Sequence, residues 1–166
     1  MKLEALRVSI CPAGTRRETL VMANRNELKK ALIAAGFEVY RTLPDRIVLA
    51  DRVRDNLIMD SGVSVGFEGE LSVRFVVRAQ SGEFGGEDPG ELFQRARALA
   101  SSEQGAGYRE VATEVVPIAD PGDKSRVLDT WYEVAFERQL DSVEAVLGEL
   151  TRLIGLEKTA TPERRR

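Results

Sequence analysis

Apolar positions recur along this chain with two different periods, and the change from one to the other marks its elements. From Asn24 onward, Leu28, Ala31, Leu32 and Ala35 follow at helical spacing. Asn24 is a capping residue, Glu27 stands three positions later as in a capping box, and Gly36 closes the segment, so a helix is predicted over residues 24–36. The period then shortens to two. Phe37–Thr42 and Arg46–Ala50 flank Pro44 and Asp45 and read as two short strands joined by a turn, and Asp55–Asp60 and the alternating Val63, Val65 and Phe67 read as further strands. Leu71–Ala79 is the cleanest strand, with Leu71, Val73, Phe75 and Val77 on one face and Ser72, Arg74, Val76 and Arg78 on the other. A sheet with that pattern has one face on the core and one at least partly wet.

The second half repeats the alternation of element types. Residues 81–90 are glycine-rich and acidic and lead into a helix with Asp88 as cap, Pro89 at its first position and Glu91 completing the box. Its buried stripe is Leu92, Phe93, Ala96, Leu99 and Ala100, and it is expected to run to Ser102. Tyr108–Val116 and Val127–Arg138 read as a hairpin around a Pro-Gly turn at 120–123, with Tyr132, Val134 and Phe136 sharing a face. A last helix is predicted from the cap Asp141 and its partner Glu144, with Val143, Val146, Leu147, Leu150, Leu153 and Ile154 on one face and an end near Gly155. Before the first helix, Leu3–Ile10 alternates loosely and can form a strand ahead of a turn at Pro12–Gly14. The expected organisation is an N-terminal extension or strand over 1–23, one α+β domain over 24–156 in the order α-β-β-β-α-β-β-α, and a flexible tail over 157–166.

Composition narrows the chemistry more than it identifies it. At 166 residues, with 43% hydrophobic and 31% charged, the chain is long enough for one domain with a proper core. A net charge of -3 argues against the basic footprint of non-specific nucleic-acid binding. Histidine is absent, which removes the commonest neutral-pH general base and the commonest metal ligand. Cys11 is the single thiol, so an internal disulfide, a Cys-His or Ser-His-Asp nucleophile system and the usual zinc sites are all beyond this chain. No cofactor and no bound metal are expected. The lack of a long apolar run or a basic-then-apolar leader points to a cytoplasmic location without membrane insertion.

Five groups of residues invite a functional reading. The loop Gly82–Gly90 feeds a helix N-terminus, as phosphate sites do, but no Lys-Ser or Lys-Thr follows, and Glu83, Glu87, Asp88 and Glu91 would repel phosphate. The same carboxylates lack the alternating ligand pattern of a calcium loop. Asp45, Asp51, Asp55 and Asp60 are interleaved with Arg46, Arg52 and Arg54; paired carboxylates perform acid and base work, yet alternating charges at strand ends are ordinarily solvated pairs. Cys11, near Arg16 and Arg17, and the terminal Arg164, Arg165 and Arg166 read as an incidental thiol and a solvated terminus. Trp131 falls opposite Tyr132, Val134 and Phe136, with Glu133, Ala135 and Glu137. It is either an interface anchor or a side chain covered by a helix of its own domain. If it shares an outward face with Val76, then Trp131, Val76, Arg74, Arg78 and Glu133 form a candidate partner-binding surface.

The element order, the small acidic chain and the strand-to-helix segment WYEVAFERQLDSVEAVLGELTRL resemble the type III secretion chaperone-like superfamily, which includes YbjN-type domains, over about residues 24–156. The resemblance implies a homodimer with a strongly twisted antiparallel sheet, no catalytic residues, and binding of another protein's segment without a nucleotide. The chain differs from that pattern in its first 23 residues and in at least one more strand-like segment between the first two helices. The leading expectation is a non-enzymatic chaperone or adaptor engaging a partner segment on a sheet face or edge. The alternatives are a small-molecule-binding domain or carboxylate-based enzyme, with a pocket between sheet and last helix lined by Phe75, Phe136 and Leu147, and a structural component of a larger assembly.

Overall fold

A computed structural model of the chain describes residues 24–54, 57–85, 88–101, 103 and 106–160. The expectations for Leu3–Ile10, Cys11, the turn at Pro12–Gly14, Asp55, Glu87, Ser102 and Arg164–Arg166 lie outside the described residues. Helix α1 (Arg25–Ala34) begins as its sequence predicts, with the Asn24 side chain accepting a bond from the Asn26 N–H. It ends in a Schellman motif: Gly36 adopts φ +89°, its N–H bonds to the Ile33 carbonyl at 3.0 Å, and the Phe37 N–H bonds to the Leu32 carbonyl at 3.0 Å. That stop turns Phe37 back onto the core beside Leu32.

Six strands follow: β1 (Val39–Thr42), β2 (Arg46–Arg54), β3 (Leu57–Gly66), β4 (Leu71–Gln80), β5 (Arg109–Ala119) and β6 (Val127–Leu140), with α2 (Pro89–Leu99) between β4 and β5 and α3 (Val143–Ala160) after β6. They form one antiparallel sheet in the order β1-β2-β3-β4-β6-β5. The fold is the expected single α+β domain. Where the sequence suggests two strands around residue 61, β3 is continuous. Ser61 and Gly62 kink it without ending it, because Asp60 Oδ1 accepts the Gly62 N–H (2.9 Å), Ser61 Oγ accepts the Val63 N–H (3.1 Å), and Gly62 takes φ +76°. Likewise β2 continues past Ala50 to Arg54, since the hairpin with β3 carries its pairing outward.

The parity read from the sequence decides the two faces. Val73, Phe75, Val77 and Ala79 of β4 join Tyr132, Val134 and Phe136 of β6 on the face covered by the helices. Leu28 and Leu32 of α1, Leu92 and Ala96 of α2, and Val146, Leu150 and Leu153 of α3 complete that core. Asp88 caps α2 through bonds to the Gly90 and Glu91 N–H groups. The cap of α3 is Ser142 and not Asp141. Leu140 is still paired with Leu71, so the chain stays extended through it, and Ser142 then accepts the Ala145 N–H on its Oγ (3.1 Å) and the Val146 N–H on its carbonyl (3.1 Å). The helix also passes Gly155, its expected end, and reaches Ala160; one glycine costs a helix only about 1 kcal/mol relative to alanine, and Leu156, Glu157 and Lys158 are good helix formers.

One buried carboxylate stands in this core. Glu149 on α3 is 8% exposed and accepts bonds from Arg152 Nε (3.1 and 3.2 Å) and Arg138 Nη1 (3.3 Å), while Arg152 also reaches Glu103 beyond α2. The Tyr108 hydroxyl is buried close by, short of hydrogen-bond geometry with any described group, and burial followed by the Glu149 charge raises its pKa. Burial alone would raise the Glu149 carboxyl, but the Arg152 bonds, the approach of Tyr108 and the two guanidinium charges outweigh it and hold the group below its ordinary value. A depressed folded-state carboxyl stabilises above the unfolded value of about 4.3 and loses that stabilisation as pH falls through the folded value. Glu149→Gln is therefore expected to cost about 1–2 kcal/mol at pH 7, discounted because both arginines are partly exposed, and far less near pH 3. Urea unfolding of both proteins at the two pH values measures this; a deficit equal at both would remove the charge as its cause.

Candidate functional site

The helices all lie on one side of the sheet, and among the described residues none covers the other. Cross-strand registers lay this helix-free face out as rows. Arg46 stands opposite Gly66, Gly66 opposite Ser72, and Ser72 opposite Gln139. The next row is Val48, Ser64, Arg74 and Glu137, and beyond it Val76 faces Ala135, which faces Ala112. Arg78, Glu133 and Glu114 form a fourth row, and Gln80, Trp131 and Val116 a fifth. All five residues predicted to share an outward face, Trp131, Val76, Arg74, Arg78 and Glu133, are brought together here. From Arg74 to Gln80 the face runs about 20 Å, at about 3.4 Å per residue.

At the Trp131 end the surface is apolar with a charged overlay. The Arg78 guanidinium lies 4.9 Å from the Trp131 ring centroid, and its Nε donates to Glu133 Oε1 at 2.6 Å. Arg78 is thus held flat by a carboxylate in front and an indole beside it. Ala135 is buried and Val76 half-buried next to them. The end of this region is locked: Asp129 Oδ1 accepts from Ser81 Oγ (2.8 Å), the Gly82 N–H (2.9 Å) and the Thr130 N–H (2.7 Å), tying the turn after β4 to β6. The Ser81 bond, followed by those backbone bonds, lowers the Asp129 pKa.

At the Arg74 end the same face becomes a polar concavity of about 420 Å³, with Ser64, Gly66 and Ser72 as its floor and Arg46, Arg74 and Glu137 among its walls. Arg46 bonds to Asp45 through Nε (2.8 Å) and Nη2, and the pairing lowers the Asp45 pKa. Arg74 is half-buried; burial and then the neighbouring Arg46 charge lower its pKa. Sequence reasoning placed Arg74 and Ser72 on this face together but missed Arg46 and Ser64 as their companions. Three strands have to find their register before these residues meet, and the local sequence carries no signal of that.

The other candidates resolve into structural roles. Asp88 caps α2. Asp60 pairs with Arg41 at 3.4 Å and serves the Gly62 turn, and Arg52 bonds to Glu38 at 2.6 Å, so Asp60 and Arg52 are each held in an ion pair with a residue outside the predicted cluster. Arg54 and Asp55 have no described side chains. Phe75 and Phe136 stack on each other in the core, ring centroids 5.4 Å apart, and do not line an open pocket. A cleft of about 600 Å³ does exist at the far end of α3, where Ile154 and Thr151 meet Phe37, Leu49 and Val63. Among the described residues, no three metal-ligating side chains converge and no helix is long and apolar enough to cross a membrane. Comparisons with protein-family models, with curated proteins and with solved structures find no match to this chain.

Proposed function

We propose that this chain is a non-enzymatic adaptor or chaperone-like domain, homodimeric as the type III secretion chaperone-like resemblance implies, that grips a segment of a partner protein on its helix-free sheet face. The observation that carries the reading is Trp131 standing with Val76 and Ala135 on a face that no described helix covers, flanked by the Arg78–Glu133 pair. A large apolar ring with charges of both signs beside it suits a partner side chain that is apolar or aromatic at its centre and polar at its rim.

The edges are poorer candidates than the face. Strand β1 has four residues and a bulge between Val39 and Arg41; β5 is longer, but a bulge between Glu110 and Ala112 and Pro117 interrupt it. Bulges and edge prolines are the devices by which sheets refuse an added strand. The cleft by Ile154 supports the small-molecule alternative mainly through its volume, two of its three charged lining residues being held in the Glu38–Arg52 pair and the third being Asp51.

Trp131→Ala is expected to leave folding largely intact and to weaken association by about thirtyfold, the effect of losing a hot spot worth about 2 kcal/mol. Sedimentation of the purified protein reads the self-association, and capture of partners from native lysate reads the client. A folded variant that sediments and captures as the parent does returns Trp131 to a packing role.

A further inference from the structure

We propose that the polar concavity at the Arg74 end of the helix-free face binds a basic amino acid, its α-carboxylate on Arg74 and the Ser64 and Ser72 hydroxyls and its cationic groups toward the surrounding carboxylates. The inference is independent of protein binding at the Trp131 end, which lies several rows away.

The anion-binding half rests on which donors are occupied. Arg46 is engaged by Asp45. Arg74, on the middle strand β4, makes no hydrogen bond or ion pair with any described residue, although Glu137 faces it in register. A half-buried guanidinium with its planar fork of N–H groups open toward a concavity is matched by a planar carboxylate, which takes two parallel bonds from it. Ser64 and Ser72 are buried, 7% and 3% exposed, and their hydroxyls bond to no described residue, so both are donors left at the floor. Gly66 keeps that floor open: a Cβ built there would lie 2.4 Å from Ser72 Oγ.

The cationic half rests on charge. Asp45, Glu68, Glu70 and Glu137 line the concavity against two guanidiniums, leaving it net negative by two. Phosphate or a dicarboxylate would meet that field with like charge. Lysine or arginine, with one carboxylate and two cationic groups, satisfies Arg74 and neutralises part of the rim at once. The cavity, about 420 Å³, lies within the range of small-ligand sites. It is open on one side, and a ligand of roughly ten heavy atoms there should bind with a Kd on the order of a millimolar.

The test is a titration of the full chain, followed through its backbone amide NMR signals at pH 7 and fixed ionic strength, with L-lysine, cadaverine, acetate and inorganic phosphate. Cadaverine is lysine without its carboxylate and carries more positive charge, so simple attraction to an acidic rim would make it the better ligand. The proposal expects lysine to give saturable shifts at Ser64, Gly66, Ser72 and Arg74, with cadaverine and acetate each at least about tenfold weaker. Arg74→Gln should weaken lysine about tenfold while leaving cadaverine no weaker than before, since the substitution removes a positive charge from the concavity. Should that variant not fold, Ser72→Ala takes its place with an expected weakening of about threefold. Cadaverine binding as well as lysine, phosphate shifting these amides at lower concentration than lysine, lysine unaffected by the substitutions, or no saturable shift at these four amides would each overturn the proposal.

Discussion

Phe136→Ala is expected to lower the unfolding free energy by about 3–5 kcal/mol, the largest loss from any single truncation in this core. Phe136 is fully buried on β6, the strand that joins β4 to β5. Its ring stacks on Phe75 with centroids 5.4 Å apart and planes 18° from parallel, and Phe75 in turn meets Tyr108 edge-on at 4.9 Å. Removing Phe136 leaves a void at one end of this aromatic row, against the face of Phe75, and a close-packed interior closes such a void only in part. Because domains of this size have about 5–15 kcal/mol in total, the variant should unfold at much lower urea, with an unchanged slope if two-state behaviour holds. A loss under about 1 kcal/mol would mean that the row can collapse around the gap.

Leu150→Ala should cost about 2–5 kcal/mol for a related reason on a different element. Leu150 is fully buried, projecting from α3 into the core between Val146 and Leu153. Thr151, its neighbour in sequence, is exposed and bonds back to the Leu147 carbonyl at 2.9 Å, so Thr151→Ala is expected to stay within about 0.5 kcal/mol. Thermal unfolding of the two variants gives the contrast, at roughly 2–4 °C per kcal/mol for a chain of this length. Equal melting temperatures for Leu150→Ala and the parent would show that α3 does not seal the core.

Much of this architecture was legible in the order of residues because its signals are local. A cap, a helical stripe and a two-residue alternation are complete within a dozen residues, so α1, α2, β4 and the β5–β6 hairpin can be read directly. Alternation also fixed, before any packing was known, that Trp131 and Val76 would turn away from Phe75 and Phe136. The misreadings share one cause. Asp141 and Ser142 are both good caps, and only the pairing of Leu140 with Leu71 decides where the strand releases the chain. Residues 61 and 62 fall between two predicted strands, Asp55–Asp60 and the run from Val63, and only the side chains of Asp60 and Ser61, meeting the backbone around a positive φ at Gly62, show that β3 bends through them.

Tertiary structure alone decided that β6 lies beside β4 and in what register the strands meet, and hence what the helix-free face contains. Strand β6 inserts between β4 and β5, setting Arg78 against Glu133 and Arg74 against Glu137 across 55 and 63 residues of chain. The concavity needs β2, β3, β4 and β6 in their final register to bring Arg46, Ser64, Ser72, Arg74 and Glu137 around one space. Side-chain parity is a property of each strand taken alone, whereas register is settled by the whole core that those strands bury together.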